Sequence, residues 1–309
     1  MAKTHVVTID LNFQGKAQAI ASYLIKHQDA VVLIESGPGS TLSTLEAGLA
    51  KEGLSPRDVT HVLLTHIHLD HAGSAGWLSQ QGAEIYVHPN GAPHLLNPEK
   101  LIASATRIYG DKMQTLWGEF LPVGESQLKV PQDAQEIPIG NLKFLPVNTP
   151  GHAEHHYSYV FEDICFSGDV GGVRIPGYPY MRAPMPPPEL HFGKWQESLV
   201  RLRSLKFSKI APTHFGIFDD ADWQMNQLSS ILKDSEVWLE KVMVTNPDVE
   251  ILREQFESWM NQQGLEQGLS EEAIRAYTLA NPLGMSADGL MRYWRKFREN
   301  NSTNVTPKA

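Results

Sequence analysis

The chain has 309 residues and a formal net charge of −9 at neutral pH, with 41% hydrophobic and 20% charged residues. This acidic balance speaks against a nucleic-acid-binding surface. A single cysteine, Cys165, excludes an intrachain disulfide framework and a cysteine-built zinc site, so any metal must be held by His, Asp or Glu. No apolar run reaches the length of a membrane span, and the N-terminus lacks the apolar core of a signal peptide. A soluble cytoplasmic protein with a substantial core is expected.

In chain order, Val6–Ile9 reads as a first strand and the almost wholly apolar Ala30–Ile34 as a second, central one. Glu35-Ser-Gly-Pro-Gly-Ser-Thr then makes a tight turn into a helix over 41–52. That turn has neither the spacing nor the lysine of a phosphate-binding loop. Val62–Leu64 predicts a buried strand running directly into Thr65-His66-Ile67-His68-Leu69-Asp70-His71. Alternate side chains of an extended segment share a face, so His66, His68 and Asp70 point to one side, with His71 where the chain bends toward a helix. Three imidazoles and a carboxylate within six residues form a group that zinc, iron or manganese can use.

A short helix over 74–81 and a strand over 84–87 follow, then mixed helical patterns over 90–118. His88 and His94 have no ligand-like neighbours and read as surface or capping residues. Short strands are expected near 127–130 and 135–139, and a clearer one over 142–147. His152 then sits at a Gly/Pro turn, with His155 and His156 close behind. Strands over 157–161 and 164–166 lead to Ser167-Gly168-Asp169, an acid delivered by an apolar strand. The prolines of 174–191 exclude helix and central strand. This segment reads as a pocket wall or a stiff connector, with Tyr178, Tyr180 and Arg182 as candidate substrate contacts; Arg182 suits a carboxylate or phosphate. A helix over 193–205 leads to a strand that delivers His214. Beyond Phe218 only helices are expected, near 220–245, 248–262, 270–280 and 286–299, with a frayed tail from Asn300.

The run His66-x-His68-x-Asp70-His71, followed by Gly151-His152, Gly168-Asp169 and Thr213-His214-Phe215-Gly216, resembles the metallo-β-lactamase-fold hydrolases over about residues 5–218. The resemblance implies an α/β (α+β) fold: an αββα sandwich of two mixed β-sheets flanked by helices, with a dinuclear metal site at one edge. Residues 1–218 would form the catalytic domain. Residues 219–309 would be a C-terminal helical appendage, as in the layout of the glyoxalase II-like branch, that caps the pocket or forms a homodimer interface. Carried over position by position, His66, His68 and His152 hold one ion, Asp70, His71 and His214 the other, and Asp169 bridges them. His156 is implied as a supporting residue that orients a ligand. Glu35 stands where the family has Asp.

The function implied is that of a hydrolase with two divalent ions, zinc first and iron or manganese as alternatives. A metal-bridging hydroxide would attack a small ester, thioester or lactone, and Asp70 would orient the nucleophile or accept its proton. A mononuclear iron enzyme of the sulfur-dioxygenase kind and a non-catalytic ligand-binding member are the alternatives. Flavodiiron oxygen reductases carry Glu where this chain has His68, and the zinc β-lactamases with a Cys ligand do not fit Asp169. The expected partner is a small molecule, not nucleic acid or membrane.

Overall fold

The structure, a computed structural model, describes residues 4–28 and 30–299; the tail expected to fray from Asn300 lies outside them. β1 (Val6–Asp10), β2 (Ala21–His27), β3 (Ala30–Ile34), β4 (His61–Leu63), β5 (Glu84–Tyr86) and β6 (Leu128–Lys129) form one sheet in that spatial order. β7 (Ile137–Ile139), β8 (Leu142–Asn148), β9 (Tyr157–Phe161), β10 (Ile164–Phe166) and β11 (Lys209–Ala211) form the other, in the order β11-β10-β9-β8-β7. Both sheets are mixed: β3, β4, β5 and β6 pair in parallel beside the antiparallel β1, β2 and β3, and only β10 and β11 are parallel in the second.

The helices are α1 (Leu42–Lys51), α2 (Leu69–Ala72), α3 (Ala75–Gln80), α4 (Ala92–Leu96), α5 (Glu99–Tyr109), α6 (Met113–Trp117), α7 (Phe192–Arg203), α8 (Ala221–Val242), α9 (Val249–Glu266), α10 (Glu271–Ala280) and α11 (Leu283–Phe297). One strand departs from the sequence reading. Ala21–His27 was not expected, yet β2 lies inside the first sheet with Ala21 to Ile25 all buried.

Strand periodicity builds the layers. Tyr23, Ile25, Val32, Ile34 and Leu63 from one sheet meet Phe144, Tyr159, Ile164, Phe166 and Ala211 from the other in the central core. Their chain neighbours point the opposite way. Leu24, Leu33 and Val62 pack outward with Leu45, Leu49 and Leu78 of α1 and α3. Cys165 and Ile210 pack outward with Trp195, Leu199, Met225, Leu228, Phe256 and Leu290 from α7, α8, α9 and α11. Each such fully buried large apolar side chain contributes about 1.5–3 kcal/mol. The C-terminal helices therefore share a core with the second sheet. No helix among the described residues is long and apolar enough to cross a membrane.

The parallel pairs fix where the site forms. Ile34 pairs with Leu63 and Phe166 with Ala211, so the C-terminal ends of β3, β4, β10 and β11 open on one edge of the sandwich. Glu35, the His66 run, Asp169 and His214 follow those ends.

Candidate metal centre

Each ligand candidate is delivered by a strand end and aimed by backbone or side-chain partners. His66 and His68 follow β4 in an extended stretch, and the single turn α2 swings Asp70 and His71 back toward them. His152 follows β8 at Gly151, where an added Cβ would meet the backbone of Trp195 at 2.4 Å. Asp169 follows β10 through Gly168, whose φ of +53° suits glycine. A Cβ there would lie 2.5 Å from Thr65 Oγ1 and 2.6 Å from His156 Nε2.

The outer ring nitrogens are pinned, which aims the inner ones. His66 Nδ1 donates to Thr65 Oγ1 (3.0 Å), whose own proton goes to Glu35 Oε1 (2.5 Å). His71 Nδ1 donates to Glu35 Oε1 (3.0 Å), His152 Nδ1 to the Pro184 carbonyl (2.8 Å) and His214 Nδ1 to the Ala19 carbonyl (2.7 Å). With those protons placed outward, the Nε2 lone pairs of His66, His71, His152 and His214 converge inward.

Two donor groups result. His66, His68, His152 and Asp169 form one and Asp70, His71 and His214 the other, each with its donor atoms within 4.8 Å of one another. His68 Nδ1 lies 2.9 Å from His66 Nε2 and 3.0 Å from His152 Nε2. Asp169 faces both groups: Oδ2 is 3.3 Å from His152 Nε2, and Oδ1 is 3.3 Å from His71 Nε2 and 3.4 Å from His214 Nε2. Asp70 Oδ2 lies 3.4 Å from His214 Nε2 and 3.6 Å from His71 Nε2.

These spacings test whether ions fit. The separations around Asp70 and Asp169, 3.3–3.6 Å, are long for hydrogen bonds, whereas His68 Nδ1 sits at hydrogen-bond distance from His66 and His152. A tetrahedral ion with ligand bonds of about 2.0–2.1 Å sets donor–donor edges of about 3.3–3.4 Å. His71 Nε2 and Asp169 Oδ1, both buried, have no hydrogen-bond partner. Such orphaned groups are costly unless something else satisfies them. The donors fit a pair of divalent cations.

The electrostatics agree. Burial and the neighbouring histidines push His66 well below its ordinary range and His68 down to about 3, and burial lowers His152. Burial alone would raise the carboxyls, but His71 and His214 hold Asp70 at about 2, and His71, His152 and His214 hold Asp169 well below its usual value. Against burial, Asp70 and Asp169 raise His71 and His214, with Glu35 adding to His71. The carboxylates thus draw protons to His71 and His214, and bound cations would displace them.

Glu35, marked in the sequence only as standing where the family has Asp, has a definite supporting place in the structure. Besides His71 and Thr65 Oγ1, its carboxylate accepts from Thr65 N (3.2 Å) and Thr213 Oγ1 (3.0 Å). It joins the ends of β3, β4 and β11 under the centre. His156 is fully buried, with Nδ1 2.8 Å from Thr149 Oγ1 and its ring 5.0 Å from that of His66, beneath the Gly168 turn. His155, part of the second histidine cluster but given no role from the sequence, is buried with its ring 5.5 Å from that of His68. His88 caps a turn by accepting from Asn90 N at 3.0 Å, but it is buried rather than on the surface.

A cavity of about 500 Å³ opens from His68, Asp70, His152, Asp169 and His214. Its walls come from Phe13, from α5 and α6, from Pro184 and Pro186 of the proline-rich segment, and from Thr278 to Ser286 at the junction of α10 and α11. His94, read as a surface or capping residue, also lines it.

Tyr178, Tyr180 and Arg182 do not line this cavity. The fully buried Arg182 guanidinium donates to Tyr180 Oη (3.3 Å), Thr278 Oγ1 (3.1 Å) and Asn261 Oδ1 (3.1 Å). Tyr180 is buried with its hydroxyl donating to the Met260 carbonyl (3.3 Å), and Tyr178 packs beside Ile175 and Tyr277. The segment is a pocket wall, but its prolines face the cavity while Tyr180 and Arg182 tie it to α9 and α10.

The metallo-beta-lactamase superfamily profile matches residues 15–214. The metallo-beta-lactamase fold-containing protein ST1585 of Sulfurisphaera tokodaii is 28% identical over 209 residues, 66% of this chain and 77% of that protein. A hydroxyacylglutathione hydrolase of Rhodopseudomonas palustris is 28% identical over 191 residues, 59% of this chain and 57% of its own length. The crystal structure of the metallo-beta-lactamase family protein TTHA1429 from Thermus thermophilus superposes with a TM-score of 0.65 at 18% identity, covering 96% of this chain and 94% of that one. With its two sheets, flanking helices and paired His/Asp clusters, the chain belongs to the metallo-beta-lactamase superfamily and is a metallo-hydrolase.

Proposed function

We propose that the chain hydrolyses a small ester, thioester or lactone at a dinuclear zinc centre. The observation that carries this is Asp169 standing between two donor groups, Oδ2 toward His152 and Oδ1 toward His71 and His214, at the end of a largely apolar cavity. His66, His68 and His152 would hold one ion, Asp70, His71 and His214 the other, with Asp169 shared. When bound, two such ions supply Lewis acidity that acidifies water and polarises an acyl carbonyl.

The chain's own residues do the remainder. Glu35, Thr65, Pro184 and Ala19 fix the imidazole orientations, so the donors are preorganised. Asp70 would be the catalytic carboxylate: Oδ2 faces His71 and His214, and the ionised group would orient the attacking water and accept its proton transiently. His156, expected to orient a ligand, instead hydrogen-bonds Thr149 and would serve by packing under the Gly168 turn. The C-terminal helices act as a cap, because the junction of α10 and α11 contributes cavity wall. An acyl substrate is favoured by the likeness to a protein named as a hydroxyacylglutathione hydrolase. Glutathione itself is disfavoured, since Lys100 is the one Lys or Arg among the lining residues to meet its carboxylates.

The test is a panel of esters, thioesters and lactones offered to the zinc-reconstituted chain and to His68→Ala. Turnover that needs both zinc and His68 is expected. Turnover surviving His68→Ala, or a panel left untouched by fully loaded protein, would remove the proposal.

A further inference from the structure

The cavity carries information about the acyl group that the metal centre does not. Along α5, Leu101, Ala105 and Ile108 recur at i, i+4 and i+7, a spacing that normally packs a helix on a protein core. Here Ala105 is the helix's only buried residue, Ile108 is 49% exposed, and all three line the cavity. Facing space is walled by aromatics held in place: Phe13 stacks on Trp117 at 5.5 Å, and Tyr109 meets Trp117 edge-on at 5.0 Å. Tyr109 Oη also lies 3.6 Å from Met285 Sδ, joining α5 to α11 across the cavity. The inner end of this face, Leu101 and the buried Ala105, meets the protein core, but Ile108 is left exposed toward the same cavity that opens on Asp70 and His152, and that apolar lining calls for an apolar occupant. A polyanionic one would enter largely uncompensated, with Lys100 alone to pair it.

We propose that the substrate carries an apolar acyl group, an alkyl chain of medium length or an aryl ring, that lies along the α5 face with its scissile carbonyl at the His/Asp end. This deepens the hydrolase assignment and rests on it for the position of the carbonyl. The apolar wall, through Leu101, Ile108 and Trp117, would set specificity.

Calorimetric titration of the zinc-loaded chain with butanoate, hexanoate and octanoate separates the contribution of the tail, because the carboxylate is common to all three. Affinity is expected to rise about fourfold per added methylene, so roughly a hundredfold or more from butanoate to octanoate. Phenylacetate distinguishes an aryl from an alkyl preference. Ile108→Asp should cut the octanoate-to-butanoate ratio by at least about tenfold, and Ile108→Leu should keep it. A ratio near one in the native chain overturns the proposal, as does a ratio insensitive to Ile108→Asp. Hydrolysis of the matching p-nitrophenyl esters is measured alongside. Rising affinity without turnover would sink the hydrolase assignment and leave the apolar cavity assignment standing. Turnover without chain-length dependence would do the reverse.

Discussion

Replacing Glu35 with Gln tests how the centre is held, because it removes one charge and almost no volume. Glu35 Oε1 accepts from His71 Nδ1, Thr65 Oγ1 and Thr213 Oγ1, and an amide oxygen can take over those contacts. The amide nitrogen then faces Thr65 N–H, which now pairs with Oε2 at 3.2 Å, and two donors meet. Two costs follow. The bond to His71 loses its charge assistance, falling from about 1.5–3 to about 0.5–1.5 kcal/mol. The orphaned Thr65 N–H costs about 1–3 kcal/mol of folding stability. Since about 1.4 kcal/mol is tenfold in affinity, an ion at the proposed Asp70, His71 and His214 set should bind about tenfold more weakly, within the range typical of lost ligand-orienting partners. Competition against a chromophoric chelator, titrated into metal-free protein, resolves the two sites. Unchanged affinity at both, or an equal loss at both, would refute a role for Glu35 in aiming His71.

Three further outcomes are expected. Gly168→Ala puts a Cβ 2.5 Å from Thr65 Oγ1 and 2.6 Å from His156 Nε2 at a left-handed φ, so Tm should fall by several degrees and metal content with it; differential scanning calorimetry and metal analysis check both. Arg182→Met strips donors from Asn261 and Thr278 and should cost about 1–3 kcal/mol in urea unfolding while leaving KM unchanged; a raised KM would return Arg182 to the substrate. Arg174 grips Asp220 and holds its carboxyl below the ordinary value of 3.8, opposed by slight burial. That depressed value makes the contribution complete above 3.8 and lost as pH falls through the lower folded-state value. The gap in urea midpoint between the native chain and Asp220→Asn should therefore close in acid; a gap that persists there would mean the contact acts by shape rather than charge.

The candidate ligands that the structure brings together could be picked out in the sequence because their chemistry is local: four donor types stand from His66 to His71, and the others just after apolar strands. β2 was not, for a physical reason. Tyr23 and Ile25 face the inner core while Leu24 faces the outer one, so Ala-Ser-Tyr-Leu-Ile shows no polar alternation. Its one polar side chain in that run, Ser22, is buried with its hydroxyl donating to the Glu35 carbonyl at 2.7 Å. Part of the cavity was legible, the proline-rich wall and the C-terminal helices, but its other walls were not: Phe13 and the α5–α6 pair of Ile108 and Trp117 lie far from those segments in the chain, and nothing in them marks a shared wall. Arg182 misled because a guanidinium in a Tyr- and Pro-rich loop suggests an anion site, whereas here it satisfies two neutral acceptors and a tyrosine hydroxyl inside the fold. Glu35 was visible as a departure from the family's Asp, but its reach to His71, Thr65 and Thr213 depends on strand register.

The central claim is that two ions share Asp169. Metal analysis of zinc-reconstituted, gel-filtered protein, run beside Asp169→Ala, tests it most directly. Two zinc ions per native chain are expected, and a loss of at least one in the variant, with hydrolysis lost in step. Fewer than two ions in the native chain, or two retained without Asp169, would contradict it.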